Sequence, residues 1–82
     1  MTMHLEILSP EKALFNGAVT RVSLPGSMAP FVVLQNHAPI MSVLSAGAVA
    51  WLAGDDEQRI EIAGGFAEVK DNCITVCVEL PE

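Results

Sequence analysis

Between Val22 and Gly54 the chain runs thirty-three residues without one Asp, Glu, Lys or Arg. Its only ionisable side chain there is His37, in the run Leu34-Gln35-Asn36-His37-Ala38-Pro39-Ile40. A segment this neutral is buried in its own fold, inserted in lipid, or covered by a partner, because water solvates apolar surface poorly. Length and punctuation exclude lipid. Pro30, Pro39, Gly47 and the polar Gln35-Asn36-His37 divide the stretch. Its longest uniform part, Ile40 to Ala53, is fourteen residues, short of the ~20 that a spanning helix needs.

Burial alone does not absorb so much apolar surface. Eighty-two residues make one small domain, and a chain of this size buries only about 60–65% of its unfolded surface. Hydrophobic residues are 51% of the chain and the mean hydropathy is +0.45. Some of that surface is therefore expected outside, where contiguous apolar area marks an interface. An assembly subunit is favoured over a monomer.

Charge excludes other partners. Ten acids face only Lys12, Arg21, Arg59 and Lys70, a net charge of −6. Four scattered bases build no positive stripe, so neither nucleic acid nor an anionic membrane surface is an expected partner. The start, Met-Thr-Met-His-Leu-Glu, has no basic segment followed by an apolar one, so no secretory signal is visible. The chain is expected to stay in the compartment where it is made. Cys73 and Cys77 lie four apart in a β-branched run, about 13 Å along a strand, too far to bridge. Free thiols fit a reducing compartment, and the spacing lacks the two-residue gap of a zinc knuckle, so no metal site is expected.

Turn residues recur every eight to twelve positions, the pattern of a β-sandwich or barrel. Leu5-Glu6-Ile7 alternates and stops at Ser9-Pro10; Lys12 to Phe15 is closed by Asn16-Gly17; Val19 to Leu24 alternates again. Pro25-Gly26 is a turn, with Pro presetting φ and Gly accepting positive φ. Phe31-Val32-Val33-Leu34 is a continuous apolar run, expected of a strand covered on both sides. Ile40 to Leu44 and Ala48 to Leu52 follow, then the polar hairpin tip Gly54-Asp55-Asp56-Glu57. Arg59 to Ile62 has strict period two, Gly64-Gly65 permits a bend or bulge, and Asp71-Asn72 turns into a last strand lined by Ile74, Val76, Val78 and Leu80.

No catalytic constellation emerges. His37 has no Gly-x-Ser-x-Gly elbow and no nearby acid, so it is expected to anchor a loop through backbone hydrogen bonds; a minimal hydrolase built on it is the weaker alternative. Gly64-Gly65 lacks the phosphate-loop pattern, and Asp55-Asp56-Glu57 lacks calcium-loop spacing. No catalytic, cofactor-binding or metal-binding residue is assigned. Trp51 could serve as a stacking platform of a small ligand- or carbohydrate-binding module, which is the alternative function, but no second aromatic is spaced beside it. A non-catalytic β module that binds another protein is the expectation.

Four motifs in register extend it. Met3-His4-Leu5-Glu6-Ile7-Leu8-Ser9-Pro10-Glu11, Leu24-Pro25-Gly26-Ser27, His37-Ala38-Pro39-Ile40 and Gly64-Gly65-Phe66-Ala67-Glu68-Val69 with Thr75-Val76 resemble the epsilon subunit of bacterial F-type ATP synthase. The resemblance covers about Met1 to Glu79 and implies an all-β, ten-stranded sandwich of two antiparallel sheets, one domain over residues 1–82. It implies a non-catalytic, cofactor-free seat in the central stalk, bound to the gamma subunit and the c-subunit ring within the rest of the F1 complex. There the stalk couples proton translocation to ATP synthesis. It also implies a location on the cytoplasmic face of the bacterial inner membrane, peripheral and held there only through the complex. In the family, the loop matching Ser27, Met28, Ala29, Pro30 and Phe31 and the segment entered through His37 face the ring. With Met41 and Ser42 these residues are the interface candidates. Pro25, Gly26, Asn36, His37, Ala38, Pro39, Gly64 and Gly65 are expected to be structural.

Three departures stand out. Val32 replaces a common family Gly, Gln35-Asn36 replaces Pro-Gly, with Asn36 able to hold positive φ, and Met28-Ala29-Pro30 replaces a loop that often carries an acid and a Gly. The usual C-terminal helical pair is not present in these 82 residues. If the chain is complete, it is expected to couple rotation without helix-based inhibition, and removing residues after Leu80 should not raise ATPase activity.

Overall fold

The computed structural model describes residues 2–82. Nine strands follow in order: β1 (Met3–Leu8), β2 (Ala13–Val19), β3 (Arg21–Leu24), β4 (Phe31–Val33), β5 (Ile40–Leu44), β6 (Gly47–Ala53), β7 (Asp56–Ile62), β8 (Gly64–Lys70) and β9 (Cys73–Glu79). They form a five-stranded sheet of order β2-β1-β9-β8-β5 and a four-stranded sheet of order β4-β3-β6-β7. The chain changes sheet at single residues twice, at Thr20 between β2 and β3 and at Ala63 between β7 and β8. The all-β, two-sheet expectation stands, with two corrections. Gly26 makes only an isolated bridge to Leu44, so there are nine strands among the described residues rather than ten. Pro25 and Pro30 bracket that segment without an N–H to extend a ladder. And β1 pairs with β9 in parallel, so the larger sheet is mixed.

Alternation built the core. Leu5 and Ile7 of β1, Val22 and Leu24 of β3, Val49 and Trp51 of β6, and Ile74, Val76 and Val78 of β9 all point between the sheets. Among the described residues no polar or charged residue is buried, and the one buried side-chain nitrogen without a partner is the indole Nε1 of Trp51. The neutral stretch divides: Val22, Leu24, Val33, Leu44, Val49 and Trp51 are core, whereas Met28, Val32, Leu34, Met41 and Val43 are exposed. Burial in the chain's own fold explains only half of it.

Several local expectations change. Asn16-Gly17 does not close a turn: β2 runs through it, Asn16 pairing with Glu6 and Gly17 with Leu5. The alternation expected from Val19 to Leu24 is interrupted at Thr20, an exposed corner, its N–H donating to the Leu52 carbonyl at 2.9 Å. Phe31–Val33 is an edge strand paired only with β3, and Val32 faces solvent, so the run is covered on one side. Leu80 lies beyond β9 and is exposed. At Pro25-Gly26 the Gly26 N–H donates to the Leu24 carbonyl at 3.0 Å, a three-residue turn centred on the proline. Gly26 is needed there for room rather than for φ: a Cβ would stand 2.5 Å from the Ala29 carbonyl oxygen and 2.9 Å from the Phe31 ring.

The Asp71-Asn72 turn is confirmed, both residues at positive φ (52° and 61°), the primed geometry that suits strand twist. Asn72 also holds the neighbouring loop. Its Oδ1 accepts from the Asn36 N–H at 2.7 Å and its Nδ2 donates to Asn36 Oδ1 at 3.2 Å. Asn36 itself has φ 65°. Replacing Asn72 by Ala removes both bonds and strains the turn, an expected loss of about 3 kcal/mol; Asn72→Gly also removes both bonds but keeps the turn, and should lose about 2 kcal/mol. Thermal unfolding followed by circular dichroism distinguishes the two.

Candidate functional site

The sequence-predicted candidates do not form one surface. Gly26 bridges Leu44, and Leu44 pairs with Gly65, so the Ser27–Pro30 loop sits at the sandwich end shared with Ala63 and Ser45-Ala46. Asn36 instead meets Asn72, at the tip of the β8–β9 hairpin, which places His37 at the opposite end. Ile40 to Leu44, which runs between the two ends, is about 13 Å long. The expectation that the Ser27–Phe31 loop and His37 share one end is therefore not met. Met41 and Ser42 also part company. Ser42 pairs with the buried Ala67 on the inner face of β5, while Met41 and Val43 point outward.

His37 is half-buried, with Nδ1 2.8 Å from the Ala38 carbonyl oxygen and its N–H donating to the Leu34 carbonyl at 3.2 Å. Ala38 and Pro39 carry the chain on to β5 from there. This is the geometry of a loop anchor. Trp51 is 5% exposed, its ring centroid 4.9 Å from that of Phe15. A buried indole offers no stacking platform, and the reading centred on it is set aside. Cys73 and Cys77 are free, and no group of three metal-ligating side chains occurs among the described residues.

What the structure does gather is apolar. Met28 is 97% exposed, Met41 72%, Val43 64% and Phe66 48%. They are continuous in the backbone. The Ser27 N–H donates to the Val43 carbonyl at 2.9 Å, and the Ser45 N–H to the Pro25 carbonyl at 2.8 Å, which stitches the Met28 loop to the free edge of β5. Val43 in turn pairs with Phe66 of β8. Gly64 and Gly65 lie within β8 rather than at a bend before it, and Gly65, at φ 153°, lets β8 lie close against the Cys77 carbonyl.

Phe66 and Val43 were not singled out from the sequence. A signal was available: Phe66 falls in phase with Glu68 and Lys70, the solvent side of β8. A large aromatic on that phase is out of pattern. No catalytic geometry accompanies the patch among the described residues.

The chain has recognisable relatives. A family described as "ATP synthase, Delta/Epsilon chain, beta-sandwich domain" matches residues 2–81. An ATP synthase epsilon chain of Rhodopseudomonas palustris strain BisA53 is 39% identical over 79 residues, covering 96% of this chain and 58% of that one. One of Maricaulis maris strain MCS10 is 44% identical over 77 residues, covering 94% of this chain and 58% of that one. The chain thus spans somewhat over half the length of these curated relatives. The fold matches a chain in the Tetrahymena thermophila mitochondrial ATP synthase central stalk and c-ring with a TM-score of 0.81 at 19% identity, covering 96% of this chain and 64% of that one. It matches one in the Euglena gracilis mitochondrial OSCP/F1/c-ring structure with a TM-score of 0.86 at 19% identity, covering 94% and 50%.

Proposed function

The chain belongs to the ATP synthase Delta/Epsilon chain β-sandwich family, and from that premise we propose that it is a non-catalytic rotor subunit in the central stalk of an F-type ATP synthase. It binds the gamma subunit and the c-subunit ring and helps couple proton translocation to ATP synthesis. Its place is the cytoplasmic face of the bacterial inner membrane, reached only through the complex. The observation that carries this is the exposed apolar surface running from Met28 across Met41 and Val43 to Phe66, on a scaffold whose core is built of apolar residues.

A rotor part must not slip under torque. Apolar burial, at roughly 25 cal/mol per Å², supplies grip, and two hydrogen-bonded sheets supply stiffness. The Met28 loop, with Ser27, Ala29, Pro30 and Phe31, meets the ring; Met41 and Val43 meet gamma. His37, at the far end, keeps its structural role, and Ser42 faces inward. This assignment is tested by crosslinking in a Cys73→Ser, Cys77→Ala background. Met28→Cys should crosslink to a cysteine in the polar loop of the c subunit, and His37→Cys should not. The reverse pattern would turn the domain end for end.

A further inference from the structure

One row of side chains crosses the outer face of the larger sheet: Val43 pairs with Phe66, Phe66 with Cys77, and Cys77 with Leu8. The row spans β5, β8, β9 and β1 and carries no charge. Shallow hollows lie on either side of Phe66. One, of about 400 Å³, is lined by Met41, Ser42, Val43 and Phe66. The other, of about 380 Å³, includes Leu8, Pro10, Phe66 and Cys77 in its lining. With strands about 4.8 Å apart, the four strands of the row span about 14 Å, the rise of about nine to ten residues of α-helix.

The neighbouring positions are acidic. Glu68 and Glu6 stand in the next register row, both opposite Thr75, and Glu79 stands on the other side, opposite Gly64. The base that shares this face, Lys70, is two positions beyond Glu68 and pairs with Cys73. We propose that this row receives an amphipathic helix of the partner subunit, lying across the strands. Apolar side chains along one face of that helix fill the hollows astride Phe66, and Lys or Arg residues flank them opposite Glu6, Glu68 and Glu79. The inference rests on the reading that the domain docks into an assembly, and it names the chemistry of what docks.

The test titrates two fourteen-residue helical peptides into the ¹⁵N-labelled protein. Both carry the same leucine stripe; one is flanked by lysines and the other by glutamates. The lysine peptide should bind at least tenfold more tightly, shift amides of β5, β8, β9 and β1, and weaken as salt is raised. Phe66→Asp should weaken it at least tenfold. Because Phe66 is half exposed, that variant should stay folded, and a Glu68→Lys, Glu79→Lys double variant, which leaves the apolar row intact, should reverse the preference between peptides. Equal binding of both peptides, binding of neither, shifts confined to β4 or the His37 end, or a face occupied by a second copy in light scattering would each overturn the proposal. If co-assembly with gamma persists in Phe66→Asp while the peptides fail to bind, the helix inference falls and the stalk assignment stands.

Discussion

Gly65→Ala is expected to cost at least about 3 kcal/mol, among the largest effects of any single change in this domain. Gly65 holds φ 153°, where side chains are strained, and a Cβ would press into the Cys77 carbonyl oxygen and stand 2.9 Å from the Val78 Cα. The obstacle is backbone of the central strand β9, which pairs on both sides and cannot swing aside. At about 4–8 °C per kcal/mol for a domain of this size, the melting temperature should fall by more than about 12 °C. Gly54→Ala is the control. Gly54 has φ 64° with nothing near its missing Cβ, so that change should cost only about 1 kcal/mol, from backbone strain alone. Thermal denaturation of both variants separates collision from conformation; equal losses would show that close approach of β8 and β9 is not what Gly65 provides.

Gly26→Ala should act on the surface more than on the fold. Gly26 is buried, and an added Cβ would meet the Ala29 carbonyl oxygen and the Phe31 ring, the floor of the Met28 loop. Relief requires the loop to lift from β5, breaking the Ser27–Val43 and Ser45–Pro25 hydrogen bonds. Two exposed backbone bonds and displaced ring packing amount to about 2 kcal/mol. Crosslinking from Met28→Cys to the c ring should fall at least tenfold, while the β1–β2 and β8–β9 amides keep their hydrogen-exchange protection. Undiminished crosslinking would show that loop shape does not matter to the contact.

The sheets were legible because alternation in Arg59–Ile62 and Ile74–Val78 leaves one face for the core, and a one-residue slip would expose every apolar side chain. The Asp71-Asn72 turn was legible because few residues accept positive φ. Asn16-Gly17 misled for a related reason. The pair is a strong hairpin signal, but here Gly17 leaves room beneath the Phe15 ring, where a Cβ would lie 3.1 Å from Cζ. Phe31–Val33 misled because an edge strand and a central strand can share the same apolar spelling.

The candidate surface was half legible. Met28 and Met41 lie inside the neutral stretch that drew attention first. Phe66 lies outside it, and only strand pairing reveals that it stands beside Val43. That His37 and Met28 occupy opposite ends follows from the Gly26–Leu44 and Asn36–Asn72 contacts, which join residues 18 and 36 apart and leave no local trace. The charge-free stretch thus serves two purposes: alternate strand residues fill the core, and its loops and outer positions make the exposed apolar face.

In the proposed assembly this face holds another stalk subunit. Co-expression with the gamma subunit of the same synthase, followed by size-exclusion chromatography, tests it most directly. A one-to-one complex should survive the column, and should weaken at least tenfold when Met41 and Val43 are both changed to Asp while the isolated domain stays folded. A chain that elutes alone as a stable monomer beside free, folded gamma would contradict it.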